Sequence, residues 1–398
     1  MKKFLIIFGI VILLLAGAVW TYIFLFGVPQ GASEIFGRFT EAPDRPGYST
    51  NDEGTIDIGN EDTEDSTVAR ERLYQLTTRP VAGAVFVTNG IRYVEQGTGH
   101  IYEIALSGGS ERMISGTTRP RTIRAVFSPN ADHVALTSES GTSLETVLGT
   151  IVQNGADGGN LDITALPDGA KEVSFNSDGT ALNFFVPDAT GGSGYSYTLK
   201  TKETEEIFTI PLSDIRILWG RPTYIYTTPS AHAVGYLYRI GETGLEYVTQ
   251  GSKGLMAFAY ASGTIVTSIQ GMEATTYDPE HGPIPTVLMI PEKCSRSLPS
   301  SQSIVCAVPR NASDIEFFPD DWYKGVARFT DAIVSIDGAN GVYTGHSDLE
   351  SESGRPIDVL SIGVNAQGDM IYFTNKYDGA LWMLDLRRET GGREQVYE

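Results

Sequence analysis

The chain has 398 residues, with 29 Lys and Arg against 49 Asp and Glu, a net charge of −20, and 44 glycines. So acidic a chain repels phosphate backbones and anionic headgroups, and no basic stripe interrupts it, which disfavours nucleic acid as a partner. The five histidines include no pair at zincin spacing and no Gly-x-Ser-x-Gly elbow occurs, so no catalytic set, metal site or cofactor is expected.

Lys2 and Lys3 precede an uncharged run from Phe4 to Phe26, of which sixteen residues are Leu, Ile, Val or Phe. As a helix it spans roughly 34 Å at about 1.5 Å per residue, enough for one membrane crossing. The lysines place the short N-terminus in the cytoplasm. A cleaved signal peptide is the rival reading, with Ala16-Gly17-Ala18 as the small-residue site. The run continues through Trp20 and Tyr22 to Phe26, too long for a removable segment, so residues 1–28 read as an uncleaved anchor. Residues 29–72 read as a flexible stalk. Between Glu41 and Arg72 it holds ten Asp or Glu and few large apolar groups, too little to offset its ordering entropy.

From residue 73 to 398 the pattern is all strand and turn. Val364 to Leu386 is the cleanest unit, with apolar alternation at Met370 and Tyr372 and at Leu381 and Met383, broken at Gln367-Gly368-Asp369 and Tyr377-Asp378-Gly379. Phe127-Ser-Pro-Asn-Ala-Asp-His133 and Phe175-Asn-Ser-Asp-Gly-Thr-Ala181 repeat that order 48 residues apart, and Thr77-Thr-Arg-Pro80 returns as Thr117-Thr-Arg-Pro120 after 40. A period of roughly 40 to 50 residues with about four strands each predicts a β-propeller, because one such sheet cannot bury its own faces. About seven strand-rich centres follow, six or eight blades being the alternatives: Ala84 to Leu106, Ala125 to Val152, Val173 to Leu199, Ile217 to Tyr247, Met256 to Tyr277, an irregular unit from Thr286 to Tyr343, and Val359 to Leu386. Ring closure is expected either from a strand near Leu73 to Leu76 pairing with the last blade or from Glu394 to Tyr397 as its outer strand, either of which hides a sheet edge. No useful helical period follows the anchor.

Cys294 and Cys306 lie 12 apart in the irregular unit, and in an exported domain such a pair reads as a disulfide. After it, Asn311 to Gly325 is longer than a minimal blade needs. Phe317, Phe318, Trp322 and Tyr323 there surround Asp320 and Asp321, a composition that either packs the insertion onto the ring or presents a binding surface. Asn311-Ala-Ser313 matches a glycosylation acceptor, and Tyr277-Asp-Pro-Glu-His281 reads as a polar turn rather than a metal site.

Three units, Phe127-Ser-Pro-Asn-Ala-Asp, Phe175-Asn-Ser-Asp-Gly and Ala366-Gln-Gly-Asp-Met-Ile-Tyr372 with Asp378-Gly-Ala-Leu-Trp382 and Asp385, resemble the WD40-like repeat of TolB-type propellers. That resemblance implies an exported propeller that binds other envelope proteins and lacks chemistry. The chain departs from TolB in carrying an anchor and stalk where an α/β domain would stand. The combined expectation is a single-pass bacterial membrane protein whose extracytoplasmic propeller is a scaffold for envelope or surface proteins, with no enzymatic activity. Its rivals are a hydrolase acting through carboxylates at the channel mouth and a glycan-binding module on the same aromatic face.

Overall fold

In the computed structural model the described residues run from 71 to 388, apart from 154–157, 243, 261–262, 271–272, 279–281, 284–287, 297–302, 311–314 and 338–341. The proposed anchor, most of the stalk, the Asn311 acceptor, the Glu394 to Tyr397 strand and part of the Tyr277 to His281 turn lie outside them. Among the described residues no helix is long and apolar enough to cross a membrane.

Residues Val68–Glu398 form one compact unit. After β1 (Leu73–Gln75), the strands fall into antiparallel sets of consecutive strands, the first two sets being joined into one eight-stranded sheet by a single parallel pair, Ser115 with Gly159. The first set is β2 (Val81–Val87), β3 (Gly90–Glu95), β4 (Ile101–Ala105) and β5 (Glu111–Ser115); the second is β6 (Thr122–Phe127), β7 (His133–Ser140), β8 (Ser143–Gln153) and β9 (Gly159–Ala165). The third is β10 (Lys171–Phe175), β11 (Ala181–Pro187), β12 (Gly192–Thr198) and β13 (Glu203–Ile210), followed by β14 (Ile215–Leu218), β15 (Tyr224–Thr227), β16 (Val234–Gly241) and β17 (Gly244–Lys253). The fifth is β18 (Met256–Tyr260), β19 (Gly263–Gln270), β20 (Glu273–Asp278) and β21 (Gly282–Pro283); the sixth is β22 (Cys294–Arg296), β23 (Ser303–Pro309), β24 (Asp331–Asp337) and β25 (Tyr343–Asp348). The seventh is β26 (Val359–Val364), β27 (Met370–Asn375) and β28 (Leu381–Asp385), completed by β1 from the far end of the chain. The all-β propeller read from the spacing is therefore the fold.

Closure takes the first of the two expected routes. Leu73 pairs with Leu384 and Gln75 with Trp382, so three residues shield the last sheet edge. The sheets bury one another's faces: Val81, Ile91 and Tyr93 pack on Met370, Leu381 and Met383 across the junction of the first and seventh blades, while Val305, Ala307 and Ile333 pack on Val359, Ile371 and Phe373 between the sixth and seventh. At about 1.5–3 kcal/mol for each large side chain buried, these seams rather than any single sheet hold the ring.

The repeated motifs form the turns between the first two strands of a blade, all on one face, here called lower. Ser128 Oγ accepts the N–H of His133, and in the equivalent turns Asn176 Oδ1 accepts from Ala181 and Asn365 Oδ1 from Met370, at 2.9–3.0 Å. Three residues after each acceptor the backbone turns left-handed, at Ala131, Gly179 and Gly368. The motif is thus a hydrogen-bonded turn in which glycine fills the strained position where it can.

Among the described residues two α-helical segments appear where none was expected, α1 (Asp320–Tyr323) and α2 (Leu349–Ser353), besides a 3-10 turn at Pro291–Lys293. At four and five residues each is about one turn, too short to leave a periodic pattern in sequence.

Candidate functional site: a strap across the upper face

The connection from β23 to β24 leaves the opposite, upper face, where the first strand of each blade begins. From the sixth blade it reaches back to the fourth. The Asp320 carboxylate accepts the N–H of Ala231 at 2.5 Å, and Phe317 packs on His232 with ring centroids 5.1 Å apart, both partners lying between β15 and β16. Between these ends the Tyr323 hydroxyl donates to Glu292 at 3.0 Å and lies against the Met256 sulfur of the fifth blade. Burial first, then the Glu292 carboxylate beside it, pushes the Tyr323 phenol well above its ordinary range. The Arg216 guanidinium sits 5.7 Å from the Tyr323 ring and joins Glu172 of the third blade at 3.3 Å. Residues 315–330 therefore form a strap over the fifth blade.

The strap is fastened at its centre by buried charge. Trp322 is 2% exposed and packs with Phe318, Phe329, Met256 and Ile290. Its indole N–H points at both oxygens of Asp358, 3.2 Å away, and Lys376 donates to its carbonyl while holding its ammonium 4.1 Å above the ring. Asp358 also accepts the N–H of Phe329 at 3.1 Å. Lys293, without exposed surface, bridges Asp331 at 2.6 Å and Asp358 at 2.5 Å. Lys293 is the shared partner of both carboxylates, and removing it, or Asp358 with its several donors, would leave buried groups uncompensated in a low-dielectric interior.

The six residues of the expected binding surface thus have different positions. Trp322 and Phe318 point into the ring, and Tyr323 is largely covered. Asp320 and Asp321 occupy the first turn of α1, where their charge suits the helix dipole, and Asp320 is spent on Ala231. Phe317, 40% exposed, and Val326, 75% exposed, face solvent. Sequence reasoning missed Lys293, Asp331, Asp358 and Lys376, although Asp358 interrupts the apolar run Ile357-Asp358-Val359-Leu360 and Asp331 opens another, Ala332-Ile333-Val334. A lone charge in or beside such a run is the signal that marks the two aspartates.

Cys294 and Cys306 are disulfide-bonded and sit opposite each other in the β22–β23 register, next to Lys293. The bond ties the first strand of the sixth blade to its neighbour directly below the strap.

Strand order, inter-blade seams and strand-borrowing closure define the class as a β-propeller. No family model matches the chain, and no curated protein matches it. Among solved structures it is similar to the β-propeller domain of the Trilobed protease from Pyrococcus furiosus, which has an open velcro topology, at 10% identity and a TM-score of 0.49 over 77% of this chain and 95% of that one. It is similar also to TolB from Acinetobacter baumannii, at 14% identity and a TM-score of 0.42 over 65% of this chain and 63% of that one. Putative TolB from Agrobacterium tumefaciens follows at 11% identity and 0.37, over 69% and 86%. The likeness is one of fold.

Proposed function

We propose that the protein is a membrane-anchored, extracytoplasmic propeller that serves as a protein-binding scaffold in the bacterial cell envelope, with the strap as its docking surface. The observation that supports this is the division of the strap into a clamped inner side, centred on Trp322, and an outer side that presents Phe317, Val326 and Lys324 to solvent. A surface already held in one conformation loses little entropy on association, and an apolar anchor rimmed by charge is how protein interfaces concentrate binding energy. The anchor at Phe4 to Phe26 motivates the localisation, with the N-terminus cytoplasmic and the propeller outside.

Crosslinking in intact cells followed by pull-down of the full-length protein tests the reading. The expected result is recurrent capture of one envelope complex, lost in Phe317→Ala and Val326→Asp while thermal stability is kept. Capture that is indifferent to both substitutions would overturn the docking surface, and turnover of a peptide or glycan library by the protein would overturn the scaffold role.

A further inference from the structure

Among the described residues, the acidic and basic side chains without any exposed surface are Lys293, Asp331 and Asp358, and all three meet under Trp322. We propose that this cluster is a pH-sensitive latch on the strap, weakest near neutral pH and tightened by acid. The idea concerns the fold alone and stands whether or not the upper face binds a partner.

The geometry is that of an imperfectly balanced site. Two carboxylates share one fully buried ammonium, and the next cation, Lys376, is only half-buried above Trp322. Asp331 Oδ2 accepts from Lys293 and, at 2.7 Å, from the Val359 N–H, while Oδ1 is buried with no hydrogen-bond partner. One face of the carboxylate is therefore desolvated without compensation. Burial, with Asp358 adding to it and Lys293 opposing, pushes the Asp331 carboxyl up to about 6. Burial likewise pushes the Lys376 ammonium down to about 8, with Lys293 and Arg328 adding and Asp358 and Asp331 opposing. Other ionisable neighbours are Tyr323, edge-on to Trp322 and bonded to Glu292, and Tyr377, whose phenol is raised chiefly by burial, with Glu350 beside it.

With the strap lifted, water reaches both groups and they return to roughly 3.9 and 10.4. Between about pH 4 and 6 the closed form then binds the extra proton, so acid favours closure, by about fivefold in the opening equilibrium for each pH unit. Between about pH 8 and 10 the open form binds the extra proton on Lys376, so alkali favours closure as well. The minimum of protection lies between, where Asp331 and Lys376 are both charged and both pay for burial.

Hydrogen exchange of the full-length protein, read by mass spectrometry on peptides covering 316–329 and corrected for intrinsic rates, tests the latch. Opening of these peptides should fall about fivefold per unit from pH 6 to pH 4, while β7 shows no such slope. Asp331→Asn, a neutral isostere of the protonated group, should be more protected than the parent at pH 7 and lose the acid slope. Lys376→Met should lose the alkaline tightening. A strap whose protection is flat from pH 4 to 7 in the parent protein, which needs no variant to fold, would overturn the proposal, as would an acid slope that persists in Asp331→Asn.

Discussion

The two faces of the ring are built on different physics. Below, the turns repeat: Ser128, Asn176 and Asn365 do the same work at the same place, each with local hydrogen bonds that the chain can form before the ring exists. Above, at the sixth blade, the strap is held by groups drawn from five places in the sequence, Lys293, Trp322, Asp331, Asp358 and Lys376, of which only Lys293 and Asp331 can pair within one blade, the others meeting once the sixth and seventh blades have docked. Repetition builds the ring from small increments, whereas the strap concentrates its stability in a few charged contacts that fail together.

The sharpest break of that contrast is Asp358→Ala. It leaves Lys293 short of a partner and strips Trp322 Nε1 and the Phe329 N–H of their acceptor, so a loss of about 3–5 kcal/mol is expected in urea unfolding. Removing the disulfide by Cys294→Ala with Cys306→Ala frees a 12-residue separation and should cost about 3 kcal/mol in the chain-entropy description, measured as the stability difference between this variant and the parent under non-reducing conditions. Away from the strap, Gly83→Ala tests the seam between the first two blades. A Cβ there would stand 2.0 Å from the Ala125 carbonyl oxygen, so the inner strands must part, at about 1–3 kcal/mol by thermal unfolding. The smallest effect belongs to the repeat: Asn365→Ala loses the acceptor for the N–H groups of Asp369 and Met370 and should cost about 1 kcal/mol, with the other turns unaffected in hydrogen exchange. If Asn365→Ala proved as damaging as Asp358→Ala, the distinction between the faces would be lost.

That same distinction explains what could be read from the residues. The strand-rich centres and the turn motif were legible because each depends on alternation, spacing or a local turn, and these survive at short range in the chain, whereas closure, a contact between the chain's far ends, was legible only as a choice between Leu73 to Leu76 and Glu394 to Tyr397. The cysteine pair was legible for a similar reason, being a hairpin contact 12 residues apart. The 311–325 insertion stood out by its length and aromatics, but the direction of those aromatics did not. Trp322 looks like an exposed anchor in sequence and is 2% exposed in the fold, because its acceptor Asp358 lies 36 residues on and its cation Lys376 a further 18.

By itself, then, the sequence determined the propeller and the order of its blades, and narrowed the closing strand to two candidates. Alternation and turn chemistry are local, and a sheet with two apolar faces has to stack on copies of itself. Only the tertiary structure decided that the insertion bends back over the fifth blade, which of its aromatics face inward, and where the buried charges meet. Charge can be buried only where several distant segments converge to pair it, and no local pattern records that convergence.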